Sequence, residues 1–267
     1  MQKYYNEATM KKIVSTLALG ALMATTASAD LTRVEAGVGA WSYKPSGIIT
    51  YTDNDGTLTN TSAEKEQTSA YLWLLIKHPI PILPNLRLEY ATIHDDGTGS
   101  GKYDGIDFGV DTPTTMDLTQ YDIIPYYNIL DNTFWTTIDI GVDIKVADYK
   151  YHAKQVTPIT VGSISGVTED YNDNGTVVVP LLYLRGRVEI PMTDIGFEAD
   201  AKYVSYDGDT VYDARAKIDY TLSFLPVVQP AIEIGYRVQK YDFTSEDKKT
   251  YMNMDFKGLY MGIMARF

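Results

Sequence analysis

Cysteine is absent from the 267 residues, so no disulfide framework holds the chain. Basic residues are scarce: 23 Lys and Arg stand against 35 Asp and Glu, a formal charge of −12. That balance excludes the basic footprint a nucleic-acid partner needs. After Asp30 no run of 18 apolar residues occurs, so no transmembrane helix is available. Histidine is limited to His78, His94 and His152, and phenylalanine to seven residues against 22 tyrosines. No P-loop, dinucleotide fingerprint or nucleophile elbow stands in a usable context.

The start of the chain has the layout of a secretory signal peptide: basic Met10-Lys11-Lys12, apolar Ile13 to Met23, and Ala27-Ser28-Ala29 as a small-residue cleavage site. Residues 1–9 read as an upstream extension, and 30–267 as one mature domain. Removing 1–29 takes Lys3, Lys11 and Lys12 with Glu7, so the mature chain is more acidic still. An exported chain without helix or disulfide can still enter a membrane as a closed barrel, where every backbone group is paired between strands.

The end of the chain supports that reading. Leu259, Met261, Ile263, Ala265 and Phe267 alternate with Tyr260, Gly262, Met264 and Arg266. Period two gives a strand one apolar and one mixed face. Tyr260, Gly262, Ala265 and Phe267 resemble the terminal-strand signal that outer-membrane barrel-assembly machinery reads. Tyrosine, with an apolar body and a wet tip, suits membrane interfaces.

Alternation gives ten strands, near 32–43, 68–78, 86–94, 115–129, 134–149, 176–190, 195–205, 210–222, 228–241 and 252–267. Short linkers (His78 to Asn85, Leu130 to Thr133, Pro191 to Asp194, Ser223 to Val227) alternate with longer ones (Lys44 to Gln67, Asp95 to Thr114, Lys150 to Gly175, Tyr206 to Asp209, Asp242 to Tyr251). Tight periplasmic turns and longer extracellular loops are the habit of outer-membrane barrels. Asp53-Asn54-Asp55-Gly56, Asp96-Gly97 and Asp207-Gly208 supply turn residues. The expected fold is an all-β, transmembrane, antiparallel up-and-down β-barrel of about ten strands.

The faces are clearest in the fifth strand, with Phe134, Ile138, Ile140, Val142 and Ile144 against Thr137, Asp139, Gly141, Asp143 and Lys145. The eighth sets Tyr212, Ala214, Ala216, Ile218, Tyr220 and Leu222 against Asp213, Arg215, Lys217 and Asp219. The second strand is apolar on both faces: Leu72, Leu74 and Ile76 alternate with Tyr71, Trp73 and Leu75.

The segment Lys77-His78-Pro79-Ile80-Pro81-Ile82-Leu83-Pro84-Asn85 is a proline-stiffened turn. It resembles a hallmark of a family of small proteobacterial outer-membrane β-barrel proteins. So do Trp41 with Pro45-Ser46-Gly47, Asp117 to Asp122, Tyr126-Tyr127-Asn128, and Thr137 to Lys145. Lys77 stands where that family usually has an acidic residue. The resemblance implies fold and address, and no activity or cofactor.

The face opposite the lipid lines the lumen. Ten basic residues are assigned there: Arg33, Arg87, Lys145, Arg185, Arg187, Lys202, Arg215, Lys217, Arg237 and Arg266. Ten acidic ones join them: Glu35, Glu89, Asp139, Asp143, Glu189, Glu198, Asp200, Asp213, Asp219 and Glu233. The excess acid then falls in loops and rims, including Asp53, Asp55, Glu64, Glu66, Asp95, Asp96 and Asp173. An eight-stranded barrel is just wide enough for side chains, while aqueous channels need about 16 to 18 strands. Balanced charge in a narrow barrel predicts ion pairing and occlusion, whereas a selective pore carries a ring of one sign.

Other candidates are few. His78 lies at the proline turn, His94 begins an outer loop beside Asp95 and Asp96, and His152 sits near Asp148. Asp170 to Gly175 opens like a calcium loop, but the twelfth position is Leu181, so it reads as a polar hairpin tip. The expectation is a non-enzymatic integral outer-membrane protein, without cofactor or metal. Its lumen would be narrow or occluded and its role structural or surface-interacting. Its partners would be outer-membrane lipids, the assembly machinery and an unidentified extracellular ligand, and it would work as a monomer. The alternatives are a narrow passive channel for small solutes and an outer-rim hydrolase.

Overall fold

The computed structural model describes residues 32–267 except 81, 155–158, 162–163, 168–169, 224–227 and 246–248. The expected export segment 1–29 and Pro81 lie outside the described residues. Thirteen strands follow in order: β1 Arg33–Thr52, β2 Thr57–Ser62, β3 Gln67–Lys77, β4 Asn85–Tyr103, β5 Ile106–Thr133, β6 Thr136–Lys154, β7 Ile159–Val161, β8 Ile164–Val167, β9 Asp170–Glu189, β10 Ile195–Tyr206, β11 Asp209–Thr221, β12 Gln229–Thr244 and β13 Thr250–Arg266. Eleven of them form one antiparallel sheet, and β13 pairs back onto β1 to close it. Both β2 and β3 lie between β1 and β4, so they are two halves of one stave interrupted at 63–66. The ring therefore has ten staves. The hairpin β7–β8 stands apart as a small second sheet.

Alternation places the faces. Val38, Leu72, Ile123, Ile140, Val142, Leu182, Leu184, Ile218, Ile232, Ile234, Met261 and Ile263 point outward and are exposed. In water such a belt would be an aggregation surface; around a closed barrel it is the lipid contact. Toward the loop end the outward row turns polar, at Ser42, Thr68, Thr92, Thr119, Thr176, Lys240 and Lys257. That marks the edge of the membrane band. In the second stave Tyr71, Trp73 and Leu75 face inward and are buried, while Leu72 is exposed.

Three expectations need correction. The stretches 44–67, 95–114 and 150–175 are largely strand, not irregular loop: β1, β2, β4, β5, β6 and β9 carry the wall well past the apolar band. Along β2, β4 and β5 polar residues such as Asn60, Ser62, Asp95, Thr112 and Thr114 face inward as well, so the alternation that reveals a membrane strand fades there while β-branched residues such as Thr57, Thr59 and Thr61 keep pairing. Asp96-Gly97 and Asp170 to Gly175 are inside β4 and β9. Finally, Leu130 to Thr133 belongs to β5, and the turn is Phe134-Trp135, with φ 52° and 61°. Phe134 thus leaves the lipid face of the strand and stands at the turn end.

The remaining tight hairpins use turn residues that tolerate left-handed backbone. Asp104-Gly105 and Asp207-Gly208 have φ 52° and 74°, and 52° and 94°, the sign pattern of two-residue hairpins that match strand twist. Asp53 holds its own turn, its Oδ1 accepting from the N–H groups of Asp55 (2.8 Å) and Gly56 (2.9 Å).

The turns at 78–84, 134–135 and 190–194 and the Val34–Phe267 junction share one end of the ring, and the turns at 53–56, 104–105 and 207–208 lie at the other. A tag inserted after Gly56 is expected to be labelled on intact cells, and one after Pro84 only after permeabilisation. The reverse pattern would invert the barrel.

Candidate functional site

The lumen is the site. Of the twenty charges assigned inward, all but Arg33 and Glu189 are buried; those two sit half-buried at the turn end. Three tiers of contacts fill the bore. At the turn end Arg33 pairs with Glu35 and, at 3.3 Å, with Glu189. Above them Arg187 grips Asp219 with two nitrogens, 2.7 and 3.0 Å. Arg266 reaches the same carboxylate at 2.5 Å and Thr221 Oγ1 at 2.7 Å.

The middle tier runs through Glu198, which receives Arg185 at 2.7 Å, and Arg87, Arg187 and Lys217 at 3.4 Å each. Arg185 also holds Asp139 at 2.7 Å, and Lys217 holds Glu233 at 2.8 Å. Trp73 lies against both Arg87 and Lys217, whose charges are 5.1 and 4.6 Å from its ring centre, a favourable contact with the ring quadrupole.

In the third tier Glu89 accepts from Arg87 (2.5 Å), Lys202 (2.6 Å) and Arg215 (2.5 Å). Arg215 also meets Asp200 at 2.8 Å. Arg237 holds Asp213 at 2.9 and 2.6 Å. Above this tier Gln120 and Gln239 exchange hydrogen bonds of 3.3 and 2.8 Å, and Gln239 donates to Tyr241 Oη at 3.1 Å.

These contacts cross the bore. β4 and β11 are opposite staves of the ring, as are β5 and β12. Glu89–Arg215 and Gln120–Gln239 therefore each span the full width. Glycine makes room for some of the spanning side chains. An added Cβ on Gly39 or Gly262 would collide with the Tyr71 phenol, and one on Gly37 with the Trp73 indole. Those two rings donate to Glu233 at 2.7 and 3.2 Å. Gly262, assigned to the terminal-strand signal, thus also seats Tyr71. Tyr260 is buried edge-on to Tyr71, Ala265 is half-buried and Phe267 is exposed. Phe267 closes the seam through paired backbone bonds to Val34 (2.9 and 3.4 Å).

Two described acids of the barrel interior escaped sequence reasoning, Asp95 toward the rim and Asp122 within the charge tiers. Asp122 on β5 is buried, bonds Lys145 at 2.6 Å and also pairs with Lys202. Its neighbours on the inward face, Met116, Leu118, Gln120, Ile124 and Tyr126, are mostly apolar, so polarity did not mark that face as lumenal. With Asp122 present the acids outnumber the bases, and Asp143 is the one left over. It is fully buried and neither carboxylate oxygen has a hydrogen-bond partner.

The tyrosines also divide differently from a pure interface role. Tyr121, Tyr127, Tyr203, Tyr220 and Tyr236 face outward, but Tyr43, Tyr51, Tyr71, Tyr126, Tyr151, Tyr183, Tyr241 and Tyr260 are buried inside. A narrow bore needs bulk that can still hydrogen-bond.

The histidines lie away from the lumen. His78 Nε2 donates to the Pro84 carbonyl (2.9 Å) and stiffens the proline turn. His152 is in β6, 3.4 Å from Asp170. His94 lies within β4, not in a loop, on the outer wall above the apolar band. It is flanked by Asp117 (2.6 Å) and Asp96 (3.3 Å). Behind it the β3–β4 ladder lapses between Tyr71 and Ser62. The Tyr43 hydroxyl fills that lapse, accepting from the His94 N–H at 2.6 Å. Asp95, expected in a solvated rim, is buried inward and accepts from Ser62 Oγ at 2.7 Å.

Burial pushes the Asp95 carboxyl up to about 6, against the Ser62 hydrogen bond. Burial lowers the His94 imidazole, but Asp117 and Asp96 outweigh it and raise it overall. Both groups bind a proton more tightly folded than unfolded, so both lose stabilisation as pH rises. For Asp95 the loss runs from about 4, the usual carboxylate value, to about 6; for His94 it comes as pH passes its raised value. Amide protection near Ser62 and His94, taken relative to the intrinsic base-catalysed exchange rate at each pH, is expected to be greater at pH 5 than at pH 8, and Asp95→Asn should flatten that dependence. Lower protection at pH 5 would contradict the assignment.

Pairing fixes opposite outcomes for two neighbouring acids. Asp122→Asn strips Lys145 and Lys202 of a shared partner and is expected to cost on the order of 3–5 kcal/mol. Asp143→Asn removes a lone buried carboxylate and is expected to leave stability unchanged or higher. Unfolding midpoints in lipid vesicles distinguish them, and equal losses would refute the pairing scheme.

No family model matches the chain, and no curated protein matches it in sequence. Solved structures do. The outer-membrane protease OmpT of Escherichia coli aligns with a TM-score of 0.50 and 9% identity, over 91% of this chain and 99% of that one. The translocator domain of the autotransporter NalP from Neisseria meningitidis aligns at 0.43 with 11% identity, over 98% of each chain. At such identities the likeness to OmpT is one of architecture, and the chain has the fold of an outer-membrane β-barrel.

Proposed function

We propose that the protein is an integral protein of a bacterial outer membrane whose lumen is closed, with a structural or surface-facing role and no enzymatic activity. It is exported by residues 1–29 and inserted by the barrel-assembly machinery, which reads the strand carrying Tyr260, Gly262, Ala265 and Phe267. It works as a monomer among outer-membrane lipids, without a cofactor, and its acidity turns away nucleic acid.

The observation that carries this reading is the set of full-width contacts, Glu89–Arg215 and Gln120–Gln239, stacked over the Arg187–Asp219–Arg266 tier. A passive pore needs a continuous wet path, and a selective one needs a ring of one sign. Here both signs alternate and meet across the axis. A hydrolase at the rim would need a base facing a substrate groove with a nucleophile or water in reach; the His94–Asp117 pair faces the outer wall.

Purified protein in planar bilayers is expected to show little or no conductance at neutral pH. Large, stable channels in the wild-type protein would overturn the closed reading and promote the narrow-pore alternative.

A further inference from the structure

We propose that the loop end of the barrel holds a binding chamber for a neutral, apolar molecule about one aromatic ring in size. Polarity inverts along the wall. Within the membrane band β12 sets Ile232, Ile234 and Tyr236 outward against Glu233 and Arg237 inside; past the band it sets Lys240 and Asp242 outward against Tyr241 and Phe243 inside. β13 does the same. Leu259, Met261 and Ile263 point out beside inward Met264 and Arg266, whereas Asn253, Asp255 and Lys257 point out beside inward Met252, Met254 and Phe256. No register shift accompanies the change in either strand. An apolar interior inside a polar wall is the pattern of a barrel that holds an apolar molecule in water, since an aqueous vestibule would gain nothing from it.

A cavity is present there. It measures about 130 Å³ and is lined chiefly by Ile49, Tyr51, Met116, Leu118, Tyr241 and Met252. Cavities of about this size with apolar walls stay dry and take up benzene. Among the described residues none of the lining side chains is charged, so a charged ligand would lose its hydration without compensation from them. The Gln120–Gln239 bridge and the Tyr241 hydroxyl close the floor, and Tyr51 is braced by Tyr151, 4.9 Å between ring centres. Val177, Val179 and Phe243, also in the lining, are half-buried rather than sealed. Entry is therefore from the loop end. Methionines and tyrosines give the walls soft, polarisable contacts suited to a ring.

The chamber gives the surface-facing role a ligand class but does not depend on the closed lumen. The test uses full-length mature protein in nanodiscs with fluorobenzene followed by ¹⁹F NMR, and conductance measured on the same preparation. Saturable binding beyond that of empty nanodiscs is expected, weakened at least tenfold by Ala147→Trp and by Val179→Phe, since Ala147 and Val179 both line the cavity and the larger side chains fill it. Folding of each variant is checked by heat-dependent gel mobility. Wild-type uptake equal to empty nanodiscs overturns the proposal, as do folded variants that bind like wild type, or benzenesulfonate binding as well as fluorobenzene. A protein that conducts yet binds sinks only the closed-lumen reading; a silent protein that does not bind sinks only the chamber.

Discussion

A charge inside a narrow barrel has nowhere to go but to another charge. Removing ions from water costs several kcal/mol each, and close, well-directed partners are what recover it. The lumen of this protein obeys that constraint almost throughout. Glu198 gathers four cations from three staves, and Glu89 gathers three. Such sharing lets each long side chain be ordered once while serving two partners. The network also explains features that look unrelated to charge. Gly37, Gly39 and Gly262 are bare so that Trp73 and Tyr71 can lie flat and reach Glu233. Trp41 packs under Arg237, its ring centre 4.6 Å from the guanidinium carbon.

The same ring of strands meets two solvents. In the membrane band lipid demands apolar side chains outside, which pushes every charge into the bore. Beyond the band water surrounds the wall, and the demand reverses. Tyr51, Tyr103, Tyr151 and Tyr171 then cluster inside with ring centres about 5–6 Å apart, while threonines and acids face out. The charge tiers and the apolar chamber are thus two answers to one geometry, separated by the Gln120–Gln239 bridge.

Much of the architecture was legible in the chain. Ten staves and their faces in the membrane band follow from period two, because lipid on one side enforces it. Legibility failed where that enforcement stops. In β2, β4 and the start of β5 the wall above the band reads as loop, since polar residues such as Asn60, Ser62, Asp95, Thr112 and Thr114 on the inner face leave little alternation to detect. The phase flip in β12, from apolar even positions at Ile232 to Tyr236 to apolar odd positions at Tyr241 and Phe243, was present in the sequence and is a usable signal for the band's edge. Asp122 was missed because its own face is apolar on either side, and Asp95 because a pair of aspartates before glycine looks like a turn.

By itself the sequence determined that the chain forms an antiparallel barrel of ten staves and that its charges lie inward in nearly balanced number. Those conclusions need only composition and the local alternation of side chains along a strand. Which charges meet was decided by the tertiary structure alone. Glu89 finds Arg215, 126 residues away, and Gln120 finds Gln239, 119 away, because ring closure and stagger bring opposite staves to the same height. Alternation tells a residue which way to face, but carries no record of what stands across the bore.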